Sequence, residues 1–280
     1  NRAVRDYDRI GTNDYFQLYW EALRNQYAKD TQNYTPATAA AQASKDLVTK
    51  LMGDGPNPYG PNYSQPVGTD GKLVDGATPL WDFDWSDAME QQALRTELNL
   101  NVSGGGQKNQ YFFSAGYLND KGIALESGYQ RFNLRSNITS EMTSWLKGGV
   151  NMSFAHSMQN YPVSSDTKTS NVINAGRTMP GFYPIYEVNP NDGSIIYKDG
   201  SPVPDFGPYR PSGSMANWNL PATLPLDKSE RMKDEFSGRT FLEVTFIPGL
   251  KFKTSFNFDL INYNSLDFTN SLIGPSVTTG

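Results

Sequence analysis

The sequence predicts an all-β fold: part of a large transmembrane antiparallel β-barrel, with long extracellular loops that contain short helices. Three observations predict it. Six segments alternate between apolar and polar residues, the period of a strand with two unlike faces. The connections between these segments alternate between short turns and longer links, as in outer-membrane barrels. The composition is polar yet aromatic: 37% of the 280 residues are hydrophobic and 13% aromatic, with 16 Tyr and 15 Phe, and mean hydropathy is -0.58.

Residues 1–93 read as an extracellular loop region with two helices. Thr12 to Asp30 carries Phe16, Tyr19, Leu23 and Tyr27 at helical spacing. Thr35 is a natural N-cap and Pro36 suits the first helical position. Ala40, Ala43, Leu47 and Leu51 then form a stripe that Gly53 should end. Gly53 to Gly76 is rich in Gly, Pro, Asn and Tyr and reads as loop. Trp81 to Arg95 leads into the first strand, with room for a short helix.

Residues 94–155 hold four strands. In Leu94–Ser103, Leu98, Leu100 and Val102 oppose Glu97, Asn99 and Asn101. After a turn at Gly104–Asn109, Gln110–Leu118 places Tyr111, Phe113, Ala115 and Tyr117 on one face. A moderate link, Asn119–Gln130, leads to Arg131–Thr139, where Phe132, Leu134 and Ile138 oppose Arg131 and Arg135. A turn at Glu141–Ser144 precedes Trp145–Ala155, with Val150, Met152 and Phe154 against Lys147, Asn151 and Ser153. Residues 156–235 form a long irregular loop in which Asn191-Asp192-Gly193 signals a small hairpin. Residues 236–263 hold two more strands about a Pro248-Gly249 turn, with Leu242, Val244, Phe256 and Phe258 against Arg239, Glu243 and Lys251. Residues 264–280 start the next extracellular loop.

Lipid is the environment that fits this pattern, because no second set of elements is evident to cover so many Phe, Leu and Val side chains. The competing fold is a soluble β-sandwich with a large insertion. Lipid permits only closed sheets, since an open edge leaves backbone groups unpaired in hydrocarbon. Six strands cannot close a wide pore, so the rest of the barrel is expected in further chain. The start at Asn1 without a signal peptide, and the loop-like stretch at the other end, suggest cuts in a longer protein. No run of about 18 apolar residues offers a membrane helix. A net charge of -5 and pI of 5.0 argue against nucleic acid. The absence of cysteine removes disulfides and thiolate metal sites, and a single histidine removes multi-histidine centres.

No catalytic constellation, cofactor motif or metal site emerges. His156 has no nucleophile in its sequence context. Gly104-Gly105-Gly106 lacks the following helix and Lys-Ser/Thr of a phosphate cradle and reads as a turn. Asp82, Asp84 and Asp87 lack the glycine and distal glutamate of a calcium loop. Tyr161, Tyr183, Tyr186, Tyr209 and Trp218 are candidate ligand-binding residues, since flat rings with polar tips suit sugars and peptide side chains; packing of the loop is the plainer use. Arg131, Arg135, Lys147, Arg239, Glu243 and Lys251 are candidate lumen-facing residues that could select a charged solute or pair with neighbours.

The order and spacing of several stretches resemble the SusC/RagA family of TonB-dependent outer-membrane transporters. Leu98–Tyr117 (LNLNVSGGGQKNQYFFSAGY) carries the strongest likeness, followed by Gly122-Ile123, Arg131-Phe132 with Arg135-Ser136-Asn137, and Trp145-Leu146-Lys147-Gly148. Upstream, Asn1-Arg2-Ala3-Val4 with Tyr7-Asp8, Tyr15 through Asn25, and Asp84-Trp85 are also similar to family members. The resemblance implies a barrel of about 22 strands with a plug. It also implies a SusD-like surface lipoprotein as partner, the TonB system as energy source through an N-terminal region not included here, and oligosaccharides or peptides as cargo. The cell outer membrane of a Gram-negative bacterium is the implied location. Two function readings follow: TonB-dependent nutrient import, or a scaffold barrel in a surface complex. A soluble surface adhesin or carbohydrate-binding module is a third.

Overall fold

A computed structural model of the chain describes residues 8–162 and 171–272. The features expected at Asn1–Tyr7 and at 273–280 lie outside the described residues. The chain divides into two compact units, one built on Gln91–Val163 with Asp227–Phe268 and the other on Ala3–Glu90 with Ser164–Leu226.

The first unit is a six-stranded antiparallel meander whose strands lie side by side in chain order. Its strands are β1 (Arg95–Gly105), β2 (Asn109–Lys121), β3 (Gly128–Glu141), β4 (Leu146–Asn160), β7 (Lys228–Ile247) and β8 (Leu250–Phe268). The sheet does not close on itself: β1 and β8 are its edges. Three short turns, after β1, β3 and β7, lie at one end of the sheet, and the longer connections lie at the other. At Pro248-Gly249 the glycine adopts φ +87, a conformation that glycine reaches without a Cβ penalty.

Directly opposed residues share a face, so the register sorts every strand residue. One face carries the rung Leu100, Ala115, Leu134, Phe154, Phe236 and Leu260. The next carries Val102, Phe113, Ser136, Met152, Gly238 and Phe258. Large rings lie over opposed glycines: Tyr111 over Gly104, Phe258 over Gly238 and, on the other face, Phe241 over Gly149, so a Cβ at any of the three would collide with the ring. From Leu250 to Leu260 a strand rises about 33 Å, which at a tilt of about 40° gives about 25 Å of height, the thickness of a lipid-facing band.

The strands run further than the alternation suggested. β7 begins at Lys228 rather than Phe236, β8 continues to Phe268, and β4 reaches Asn160. The moderate link expected at Asn119–Gln130 shrinks, because Asn119 pairs with Gln130 and Lys121 with Gly128. Gln91 fastens what remains of it: its side-chain amide lies 3.1, 2.9 and 3.1 Å from the carbonyls of Gly122, Ala124 and Ser127. The extension of β7 was hidden because Lys228–Glu235 is polar on both faces apart from Met232, which removes the period-two signal while the backbone ladder continues.

The second unit holds α1 (Thr12–Ala28), α2 (Pro36–Met52), α3 (Trp85–Ala88), α4 (Val172–Thr178), α5 (Leu220–Thr223) and the two-stranded hairpin β5 (Tyr197–Lys198) and β6 (Ser201–Pro202). Thr35 and Thr38 form a capping box at the start of α2, and Gly53 ends it with φ +59. Trp20 of α1 donates to Ser44 of α2 at 2.8 Å. The loop text expected at Gly53–Gly76 and in the long irregular stretch is a packed structure with its own core. Phe16 meets Tyr59 and Phe182 edge-on at 5.1 and 5.3 Å. Trp81 and Trp85 donate their indole N–H to the carbonyls of Phe182 and Tyr183, at 2.9 and 2.8 Å. Asn191-Asp192-Gly193 makes the expected turn, with Val188 bridged to Ile195. A second hairpin follows at Asp199-Gly200, both at positive φ, a signal the sequence reading passed over.

Candidate functional site: the polar face of the sheet

All six expected lumen residues share one face of the first unit. Arg131 and Arg135 on β3, Lys147 on β4, Arg239 and Glu243 on β7, and Lys251 on β8 follow from one register: Arg135 opposes Ser153, Ser153 opposes Ser237, and Lys147 opposes Glu243. Polar neighbours fill the rungs between them. Asn137, Asn151, Arg239 and Asn257 make one rung, and Arg135, Ser153, Ser237 and Asp259 another.

Charges toward the two ends of this face are paired. At the long-connection end, Arg95 reaches Glu97 at 3.0 Å and Asp120 at 3.3 Å, Arg231 reaches Asp267 at 3.0 Å, and Lys233 pairs with Glu235. At the short-turn end, Lys251 reaches Glu243 at 3.1 Å and Lys147 reaches Glu141 at 3.6 Å. Two adjoining hollows also lie along this face, the first bordered by Glu235 of the Lys233 pair. Arg131, Asn133, Arg135, Ser153, Ser237 and Asp259 line one, and Arg135, Asn137, Asn151, Arg239 and Asn257 line the other.

Neither face is as uniform as the alternation suggested. Phe112, Leu118, Phe241 and Ile261 fall on the polar face. Phe241 has a reason to do so, since it covers Gly149 and carries the Lys253 ammonium 4.6 Å above its ring. On the apolar face, His156 and Asp234 lie one rung beyond Phe154 and Phe236. His156 is thus inside β4, four residues before its end, rather than at a strand terminus.

The five aromatic candidates are not gathered in one place. Tyr161 lies in the first unit, with the Arg231 guanidinium 5.0 Å from its ring. Tyr183, Tyr186, Tyr209 and Trp218 lie in the second. Tyr183 is 3% exposed and donates to the Leu51 carbonyl at 2.6 Å; burial pushes its phenol pKa up. Tyr209 donates to the Asp205 carboxylate, and burial together with that charge raises its pKa strongly. Tyr186 sits edge-on to Phe83 at 6.4 Å. Trp218 offers its backbone carbonyl to Arg210 at 3.2 Å. Asp82 accepts from Arg9 and Thr12 at 2.9 and 3.0 Å, and Asp84 caps α3. Among the described residues no group of three or more acidic or histidine side chains is placed to hold a metal.

The chain has counterparts among known proteins. No protein-family model matches the chain. It is 26% identical over 184 residues to TonB-dependent receptor P39 of Formosa agariphila, a match covering 64% of this chain and 15% of that protein. It is 30% identical over 79 residues to TonB-dependent receptor SusC of Bacteroides thetaiotaomicron, covering 28% of this chain and 8% of SusC. The structure of the RagAB peptide importer in its closed-closed state superposes over 92% of this chain and 26% of the other, with TM-score 0.56 and 20% identity. The chain is SusC/RagA-like.

The match spans about 15% of the length of its P39 relative and about a quarter of the RagAB chain. The two sequence relatives are named TonB-dependent receptors, and the structural neighbour is named a peptide importer.

Proposed function

We propose that the intact protein imports an oligosaccharide or peptide across the outer membrane of a Gram-negative bacterium, driven by the TonB system. A SusD-like surface lipoprotein closes over the second unit, which faces the outside, and the six strands form part of a wall of about 22. One observation carries the reading. Arg135 and Arg239 alternate along their strands with residues of the apolar face, and guanidinium groups at that depth are tolerated only where the opposite face meets water or protein. A wall with lipid on one side and a polar lumen on the other suits the passage of a hydrophilic solute.

Deletion of the full-length gene should abolish growth and uptake on one class among defined glycans and peptides. Removal of the TonB box from the restored protein should abolish it again. Unchanged uptake of every candidate, together with loss of a surface complex, would establish the scaffold reading instead.

A further inference from the structure

We propose that Arg131, Arg135 and Arg239 form a stepped track on the polar face that binds the carboxylates of an extended anionic solute. The inference rests on the import reading and names the chemistry of the cargo.

The first observation is a contrast in pairing. Arg95, Arg231, Lys233, Lys147 and Lys251 each have a carboxylate partner, and Lys253 stands over Phe241. Arg131, Arg135 and Arg239 make no hydrogen bond or ion pair with another described residue. The paired charges are not set apart from them, since Lys233 and Glu97 share the rung of Arg131 and its charge acts on Glu97. Arg135 and Arg239 lie on rungs deeper than the Lys233–Glu235 pair.

The second observation is what surrounds these cations. The hollows they line are walled by Asn133, Asn137, Asn151, Ser153, Ser237 and Asn257. Uncharged groups of this kind can hydrogen-bond a passing ligand without competing for its charge. Two acids also border the hollows. Glu235 is held by Lys233, and Asp259 on β8 repels anions, which confines the track to β3, β4 and β7.

The third observation is spacing. Arg131 and Arg135 are four residues apart on β3, about 13 Å along the strand. Arg239 lies two strands away and one rung further from the long-connection end, about 12 Å from Arg135. Steps of that size are too wide for three arginines to close on one small anion. They suit an extended oligomer whose charges are handed from one guanidinium to the next. A guanidinium also holds a carboxylate in a two-point fork that lysine cannot reproduce.

The test uses the purified full-length protein and four oligomers of matched length: oligoglutamate, oligoglutamine, oligogalacturonate and malto-oligosaccharide. Calorimetry on the unaltered protein should show at least one acidic oligomer binding more tightly than its neutral counterpart, with affinity falling as salt rises. Which acidic oligomer binds separates a peptide from a glycan source. In the Arg131→Gln, Arg135→Gln, Arg239→Gln triple variant that affinity should fall about tenfold or more, with neutral oligomers unchanged. Failure of the unaltered protein to bind either acidic oligomer would overturn the track. So would equal loss for acidic and neutral oligomers, or a fall in melting temperature with affinity unchanged, which would make the arginines braces for another segment of the protein. If TonB-dependent uptake of neutral oligomers persists while the track fails, import stands without it. If no oligomer is taken up at all, the import reading itself fails.

Discussion

His156 Nδ1 lies 2.6 Å from Asp234 Oδ1, across a directly opposed pair of β4 and β7, on the same face as Phe154 and Phe236 one rung further in. Asn262 continues that rung on β8, and Leu260 continues the next. The pair puts charge on the apolar face of β4 and β7. In the proposed membrane orientation it marks the outer rim of the lipid-facing band, with Met158 opposite Met232 one rung further out. Cysteine scanning can locate this boundary cleanly, because the chain has no native cysteine. Asn262→Cys should react with a membrane-impermeant thiol reagent, whereas Leu260→Cys should react with a lipid-soluble reagent only. Equal reactivity of the two would remove the boundary.

Arg210 is the keystone of the second unit. Its side chain is 0% exposed and donates to the carbonyls of Pro184, Asp205 and Trp218 at 3.1, 3.2 and 3.2 Å. The rings of Trp85 and Tyr183 lie 5.6 and 5.2 Å from its guanidinium carbon. Arg210→Met should destabilise the unit by about 3–5 kcal/mol, since it leaves the Asp205 carboxylate buried without its cation. Arg210→Lys should recover only part of this, because an ammonium cannot reach the same set of carbonyls. Limited proteolysis of residues 171–226 would report the loss; a cleavage rate unchanged in both variants would contradict the assignment.

Alkaline pH should loosen the same unit. Burial raises the Tyr59 and Tyr183 phenols, and burial with the Asp205 carboxylate raises Tyr209, all from the usual 10.0. A raised folded-state value means that the protonated phenols stabilise the fold fully below pH 10.0, and that this contribution is lost as pH climbs toward the raised values. The part of the tyrosinate absorbance lost on replacing Tyr59, Tyr183 and Tyr209 by Phe should therefore appear above pH 10 together with loss of near-ultraviolet dichroism, rather than before it. Ionisation of these three phenols near pH 10 with the dichroism intact would contradict the packing.

The strands were readable from sequence where one face is apolar, as at Leu98, Leu100 and Val102. They were unreadable where both faces are polar, as along Lys228–Glu235 apart from Met232, because only backbone pairing extends β7 there. The helices carried local signals, Thr35-Pro36 and Gly53 among them. The aromatic core did not, since Tyr59, Trp81 and Phe182 are brought together from distant irregular segments with no period to follow. The shared face of Arg131, Arg135 and Arg239 was legible from alternation within each strand. Their lack of an ion pair among the described residues was not, because pairing depends on register between strands.

Orientation follows from connection length, with short turns expected in the periplasm and long connections outside. A tag inserted at Gly200, where a glycine Cβ would meet nothing within 4 Å, should be labelled on intact cells. A tag at Gly106, equally free of neighbours, should be labelled only after permeabilisation. The reverse result would invert the topology.

The central claim is that one face of this sheet meets lipid and the other a polar lumen, and adjacent residues of β1 test it most directly. Leu100 shares its rung with Leu134, Phe154 and Leu260, while Asn99 points to the opposite face. The measurement is the folding free energy of the full-length protein in lipid vesicles, for Leu100→Arg against Asn99→Arg. Leu100→Arg should cost about 2–4 kcal/mol and Asn99→Arg much less; equal costs at the two positions would contradict the account.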